Sequence, residues 1–234
     1  MSETNSPQGT DRRAIPQRST GWAAKLADAM YAAKLTPNKV SVGSVIFAAL
    51  GAAALIASAL VTSDGVRAAW LVVTVVCIPL RLLLNMLDGM LAVEKGLHTP
   101  TGDLFNEVPD RIADLVLVAA AGYATAGIWV AGAVDWGVVL GWSAAAAAIL
   151  TAYVRTLGAA NGVGNFFAGP MAKPARMWVL VLASLASLFE PLFDARGLFL
   201  AIAVALILIG SIITVIMRLN RISQALHAQK GETP

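Results

Sequence analysis

Long apolar runs separated by short polar ones set the pattern of this chain, and six of the runs are long enough to cross a bilayer. A crossing needs about 20 apolar residues, because roughly 30 Å of hydrocarbon is covered at about 1.5 Å per residue. The predicted spans are Lys39–Thr62, Ala68–Val93, Asp110–Ala131, Val134–Leu157, Arg176–Leu192 and Leu198–Met217. The fourth and sixth carry the fewest polar interruptions. The second and third depart from the pattern, with Arg81, Asn85 and Asp88 near one end of the second and Asp110 and Asp114 at the start of the third. Charges at the edge of hydrocarbon cost several kcal/mol unless they are paired, hydrated or bound to metal. These two helix ends are therefore where a function is expected.

The flanks pattern differently. Residues 1–20 are polar and rich in Ser, Thr, Pro and Gln, and are expected to be a disordered cytoplasmic tail with no signal-peptide core. Over 21–35, Trp22, Leu26, Ala29, Met30 and Ala33 can share one helical face, with Lys25, Asp28 and Lys34 elsewhere, which predicts an amphipathic helix on the membrane surface. The membrane domain then covers 36–218, and 219–234 reads as a second cytoplasmic tail. The fold class is all-α: an integral membrane protein of six transmembrane helices preceded by a surface helix.

Composition agrees and removes other classes. Of 234 residues, 58% are apolar and 13% charged, against about 45–50% and about 25% in soluble domains. Mean hydropathy is +0.72. So few charges could not cover a soluble globule, which excludes a soluble enzyme, a disordered chain and a nucleic-acid binder. The single cysteine, Cys77, lies in an apolar run and reads as a packed thiol. No His/Cys cluster offers a zinc site.

The formal charge is only +3, so its placement matters more than its size. Six spans put both termini on one side. That side receives Arg12, Arg13, Arg18, Lys25, Lys34, Lys39, Lys95, Arg155, Lys173, Arg176, Arg218, Arg221 and Lys230, and the other only Arg67 and Arg196. The bias puts both termini, and the acidic helix ends, on the cytoplasmic side of the cell membrane. Asp64, Asp135, Glu190 and Asp194 then fall at opposite turns and are expected to face water. The six tryptophans mostly fall near span ends, as interfacial anchors do.

Six of the 14 acidic residues lie between positions 88 and 114: Asp88, Glu94, Asp103, Glu107, Asp110 and Asp114. Asn85 and Asp88 are three apart and Asn106 and Asp110 four apart, so each pair shares a helix face. Gly96, Pro100 and Gly102 suit a turn that brings the two faces together. Oxygen ligands of this kind suit Mg²⁺, Mn²⁺ or Ca²⁺. A solvated acidic loop is the alternative that clustering alone leaves open. His98 lies in that loop and reads as a bystander.

The stretch NMLDGMLAVEKGLHTPTGDLFNEVPD resembles the signature of the CDP-alcohol phosphatidyltransferase family, D-x-x-D-G-x-x-A-R, eight residues, then G-x-x-x-D-x-x-x-D. Asp88, Gly89, Ala92, Gly102 and Asp110 match it in identity and in register, whereas Asn85, Asn106 and Val93 stand where it has two aspartates and an arginine. LTPNKVS from Leu35 is similar to the segment opening the first span in that family. AYVRTLGAANG and GPMAKPAR are similar to its basic loop.

The resemblance implies a fold, an activity and a site. In the family, divalent metals (Mg or Mn) grip the diphosphate of a CDP-linked lipid and the final aspartate takes a proton from an alcohol, whose attack displaces CMP. By position, Asp88, Asn85, Asn106 and Asp110, with Glu107 beside them, would hold metal, and Asp110 would also be the base. Asp88, Gly89, Ala92, Gly102 and Lys95 would face CDP. Arg155, Lys173 and Arg176 would bind an anionic acceptor such as inositol phosphate or glycerol phosphate. The implied partners are CDP-diacylglycerol, an alcohol acceptor, membrane lipids and a second copy in a homodimer. The two asparagines remove two charges from the site, which weakens a second metal. They mark a subgroup with N-x-x-D-G and N-E-x-x-D forms. A scaffold or transporter that has lost catalysis stays open beside the transferase.

Overall fold

The computed structural model describes residues 20–97 and 99–231, without the side chains of Asp103 and Lys230. The predicted tail over 1–20, save Thr20, and His98 lie outside the described residues. Seven α-helices carry the fold: α1 (Gly21–Ala32), α2 (Pro37–Leu60), α3 (Asp64–Glu94), α4 (Gly102–Tyr123), α5 (Trp136–Ala160), α6 (Lys173–Ala186) and α7 (Leu198–Lys230). A 3₁₀ turn over Ser187–Leu192 extends α6, and a two-residue antiparallel ladder, β1 (Val130–Ala131) with β2 (Val134–Asp135), joins α4 to α5.

Local chemistry explains several boundaries. Thr36 caps α2, accepting from Lys39 N at 3.4 Å, and Pro37 takes the first helical position, where its missing N–H costs nothing. Asp135 caps α5 through Gly137 N and Val138 N at 3.0 and 3.3 Å, and it also accepts from Gly127 N. It is a working cap rather than a solvated acid.

Among the described residues five helices are long and apolar enough to cross a membrane: α2, α3, α5, α6 with its 3₁₀ extension, and α7. The apolar runs of the sequence predict six. The remaining helix, α4, has the length, but Glu107, Asp110, Arg111 and Asp114 crowd its first half. It also stops at Tyr123, so residues 124–131, assigned to the third span, form turns and the first strand. α7 runs on past Met217, where the predicted sixth span ends, as far as Lys230, because Ile222 and Leu226 pack with Val154, Val163 and Phe166.

α2 packs between α3 and α4, α4 against α5, α5 against α7, and α6 against α3 and α7. The main core gathers Leu55, Leu71, Ile78, Leu117, Leu180, Leu200 and Ile207 with many alanines. Small residues set its closest approach. A Cβ on Gly122 would lie 2.5 Å from the Gly141 Cα, so α4 and α5 cross backbone to backbone.

α1 forms as expected over Gly21–Ala32, with Ala23, Leu26, Ala27 and Met30 packed on Met86, Leu87, Met90 and Leu91 of α3, while Trp22, Ala29 and Ala33 are exposed. One expectation is corrected. Glu190 is fully buried rather than solvated. It pairs with Arg67 and accepts from Ser187 Oγ, Gly197 N and Phe199 N, which ties the start of α3 to the start of α7. All six tryptophans are exposed, as anchors facing lipid would be.

Candidate active site

The polar cluster forms where the starts of α2, α4 and α6 meet the ends of α3 and α5. α3 has 31 residues, or about 46 Å of helix, well beyond the roughly 30 Å of a hydrocarbon core. Its last turns can therefore carry Asn85 and Asp88 out of the apolar layer. Arg81, Asn85 and Asp88 share one face of this helix, four and three residues apart.

Asp88 is buried. Its Oδ2 accepts a hydrogen bond from Ser41 Oγ of α2 at 2.6 Å, and its Oδ1 takes no hydrogen bond. Asn85 donates from Nδ2 to Ser44 Oγ at 3.3 Å, while its Oδ1 accepts from Lys173 Nζ at 3.2 Å. The same ammonium pairs with Asp110 Oδ2. Asp110 Oδ1 lies 3.3 Å from Arg81 Nη2, whose group also reaches Asp114 Oδ1 at 3.0 Å. Arg176 Nη2 donates to Asp114 Oδ2 at 2.7 Å. One continuous network thus runs from Ser44 through Asn85, Lys173, Asp110, Arg81 and Asp114 to Arg176. Asp88 joins it through Ser41, whose carbonyl accepts from Ser44 Oγ.

A rim surrounds this inner set. Arg155 Nη2 meets Glu107 Oε1 at 2.7 Å, its Nη1 donates to Asn165 Oδ1 at 3.0 Å, and its guanidinium lies over the Phe167 ring at 5.4 Å. Arg111 lies 3.7 Å from Glu107 and 3.8 Å from Asp110. Three cations (Arg81, Lys173, Arg176) face three carboxylates (Asp88, Asp110, Asp114) within. Arg111 and Arg155 face Glu107 outside, which leaves the whole cluster one unit positive.

The structure brings together Asp88, Asn85, Asp110, Lys173 and Arg176 of the expected site, with Glu107 and Arg155 at the rim. Asn106 is exposed, and Lys95 is paired with Asp28 of α1. Gly89 and Ala92 are partly buried on α3. At Gly102 an added Cβ would meet only Thr99 Oγ1 at 3.5 Å, ordinary contact, so no close approach requires glycine there. Arg176 turns inward: besides Asp114 it donates to Thr151 Oγ1 and to the Met171 carbonyl. Sequence reasoning missed Arg81, Ser41 and Ser44 as members. Arg81 could have been found, since it lies one turn before Asn85 on the same face. Ser41 and Ser44 give no signal, because their partners are 47 and 41 residues away.

Asp88 and Asp110 carry hard oxygen atoms of the kind Mg²⁺ or Mn²⁺ takes, Asn85 Oδ1 being held by Lys173, and the buried, unbonded Asp88 Oδ1 is the atom such an ion would satisfy. The residues fit one such ion. Among the described residues no three of His, Cys, Asp and Glu converge as a fuller metal cage.

No protein-family profile and no curated protein sequence matches the chain. Solved structures do. The chain is similar to the phosphatidylinositol phosphate synthase of Mycobacterium tuberculosis crystallised with manganese and citrate, at 22% identity and a TM-score of 0.61, over 86% of this chain and 88% of that one. A structure of that synthase with CDP-DAG bound gives 23% identity and a TM-score of 0.61, over 86% of this chain and 92% of that one. Both are CDP-alcohol phosphatidyltransferases, and the chain has a fold of that kind.

Proposed function

We propose that this chain is a membrane transferase that moves the phosphatidyl group of CDP-diacylglycerol to the hydroxyl of an alcohol and releases CMP. The observation that carries this reading is one polar network that links Asp88 and Asn85 of α3 to Asp110 of α4 through Ser41, Ser44 and Lys173. The shared fold with synthases crystallised with manganese or CDP-DAG supports it.

Asp88 binds the CDP end of the donor together with Asn85, beside the small residues Gly89 and Ala92. Asp110 Oδ2 takes the proton of the incoming hydroxyl, while Arg81 holds its other oxygen in place. The hydroxyl oxygen bonds to the lipid-side phosphorus as the bond to the CMP phosphate oxygen breaks, and CMP leaves with that electron pair. A bound Mg²⁺ or Mn²⁺ supplies neutralisation of the diphosphate and stabilises the leaving group. The net positive rim, with Arg155 and Arg111, suits a phosphorylated polyol such as inositol phosphate or glycerol phosphate. Arg176 supports the acceptor side from behind by holding Asp114 and the Met171 carbonyl. α4 is the sixth crossing, the site faces the cytoplasm, and two copies form a dimer.

A scaffold that binds CDP-lipid without turnover is the second reading, favoured by the two asparagines. Purified protein given CDP-diacylglycerol, Mn²⁺ and a panel of inositol phosphate, glycerol phosphate, serine and inositol should release CMP with one acceptor. Asp88→Asn and Asp110→Asn should each lower that rate at least about 100-fold. Binding of CDP-lipid with no CMP release under any metal would instead establish the scaffold.

A further inference from the structure

Resting on that reading of the site, we infer that the Lys173 ammonium is a resident cation of the cluster, taking the role of a second divalent ion, so that the chain binds at most one. Three observations meet here. Lys173 opens α6 and its Nζ bridges Asn85 Oδ1 and Asp110 Oδ2, joining the helix of one signature half to the helix of the other. A bridging metal makes that kind of link, and an ammonium is a compact point charge able to make it.

The amide at position 85 suits this arrangement as a carboxylate would not. Ser44 Oγ already donates its proton to the Ser41 carbonyl at 2.7 Å, so towards Asn85 it can only accept. The side chain at 85 must therefore donate on one side, to Ser44, and accept on the other, from Lys173. Asn does both and Asp only the second. Asn85 is in this sense fitted to the lysine, not a decayed metal ligand.

The charge count points the same way. Asp110 and Asp114 already pair with Arg81, Lys173 and Arg176, and with Asp88 the inner set sums to zero. One divalent ion at Asp88 Oδ1 takes the inner set to two units positive, a match for a diphosphate. A second would take it to four with no carboxylate left to meet it.

Mn²⁺ binding to the detergent-purified chain, followed by the electron paramagnetic resonance of free Mn²⁺, tests this without reference to turnover. The wild type should bind no more than one Mn²⁺ per chain. Lys173→Met and Lys173→Gln should bind Mn²⁺ at least about tenfold more tightly or take a second ion, and Lys173→Arg should behave as wild type. Two Mn²⁺ on the wild-type chain, or unchanged binding in Lys173→Met and Lys173→Gln, would overturn the inference. If neither neutral variant folds, the wild-type stoichiometry decides alone. Absence of CMP release beside the expected Mn²⁺ counts would overturn the transferase reading and leave the lysine cation standing; CMP release beside two bound Mn²⁺ would do the reverse.

Discussion

Asp114 illustrates how far one side chain's meaning depends on its neighbours. In the sequence it is a spare acid one turn beyond Asp110. In the fold it is the fully buried anion between Arg81 and Arg176. Removing one partner from a buried ion pair leaves the other charge in a poor solvent and costs about 3–5 kcal/mol. Arg176→Met should therefore lower unfolding stability in detergent by that order, measured by thermal or denaturant unfolding. Arg155→Met should act differently: its guanidinium sits on the rim with Glu107, so the acceptor KM should rise at least about tenfold with little change in unfolding. Asn85 and Asp88 were legible from their spacing. Arg81 was legible only as an oddity in an apolar run, because what it pairs with comes from 29 and 33 residues further along.

Helix ends and crossings follow from packing that hydropathy does not record. The tightest crossing is Gly122 of α4 on Gly141 of α5, where no side chain fits. Gly141→Leu should force the helices apart and abolish monodisperse protein on size exclusion, whereas Gly21→Ala, with nothing within 4 Å, should be tolerated. At the far end, Glu190 receives Arg67, a hydroxyl and two backbone N–H groups. Glu190→Gln strands the buried Arg67 charge and should cost about 3–5 kcal/mol by the same unfolding measurement. The existence of the helices was legible because an apolar run must be helical in a bilayer. Their ends were less so: α7 continues past Met217 because Ile222 and Leu226 find apolar partners.

The alternation of the helices puts the loop after α5 at the end of the bundle that holds the site and the β1–β2 hairpin at the other. Six crossings then require that Thr99→Cys before α4 and Val130→Cys after it, both exposed positions, be labelled by impermeant maleimide from opposite faces of intact membrane vesicles. Labelling of both from one face would remove α4 as a crossing. Cys77 is buried and should stay silent in this assay. By itself the amino-acid order determined the membrane class, the helical content and the gathering of polar residues at two helix ends, since burial of apolar runs and i to i+4 spacing are local properties. Only the tertiary structure decided which charges neutralise one another, that α1 rests on α3, and that Lys173 stands between Asn85 and Asp110. Those are through-space relations between distant segments, set by which helices pack together, and linear spacing carries no trace of them.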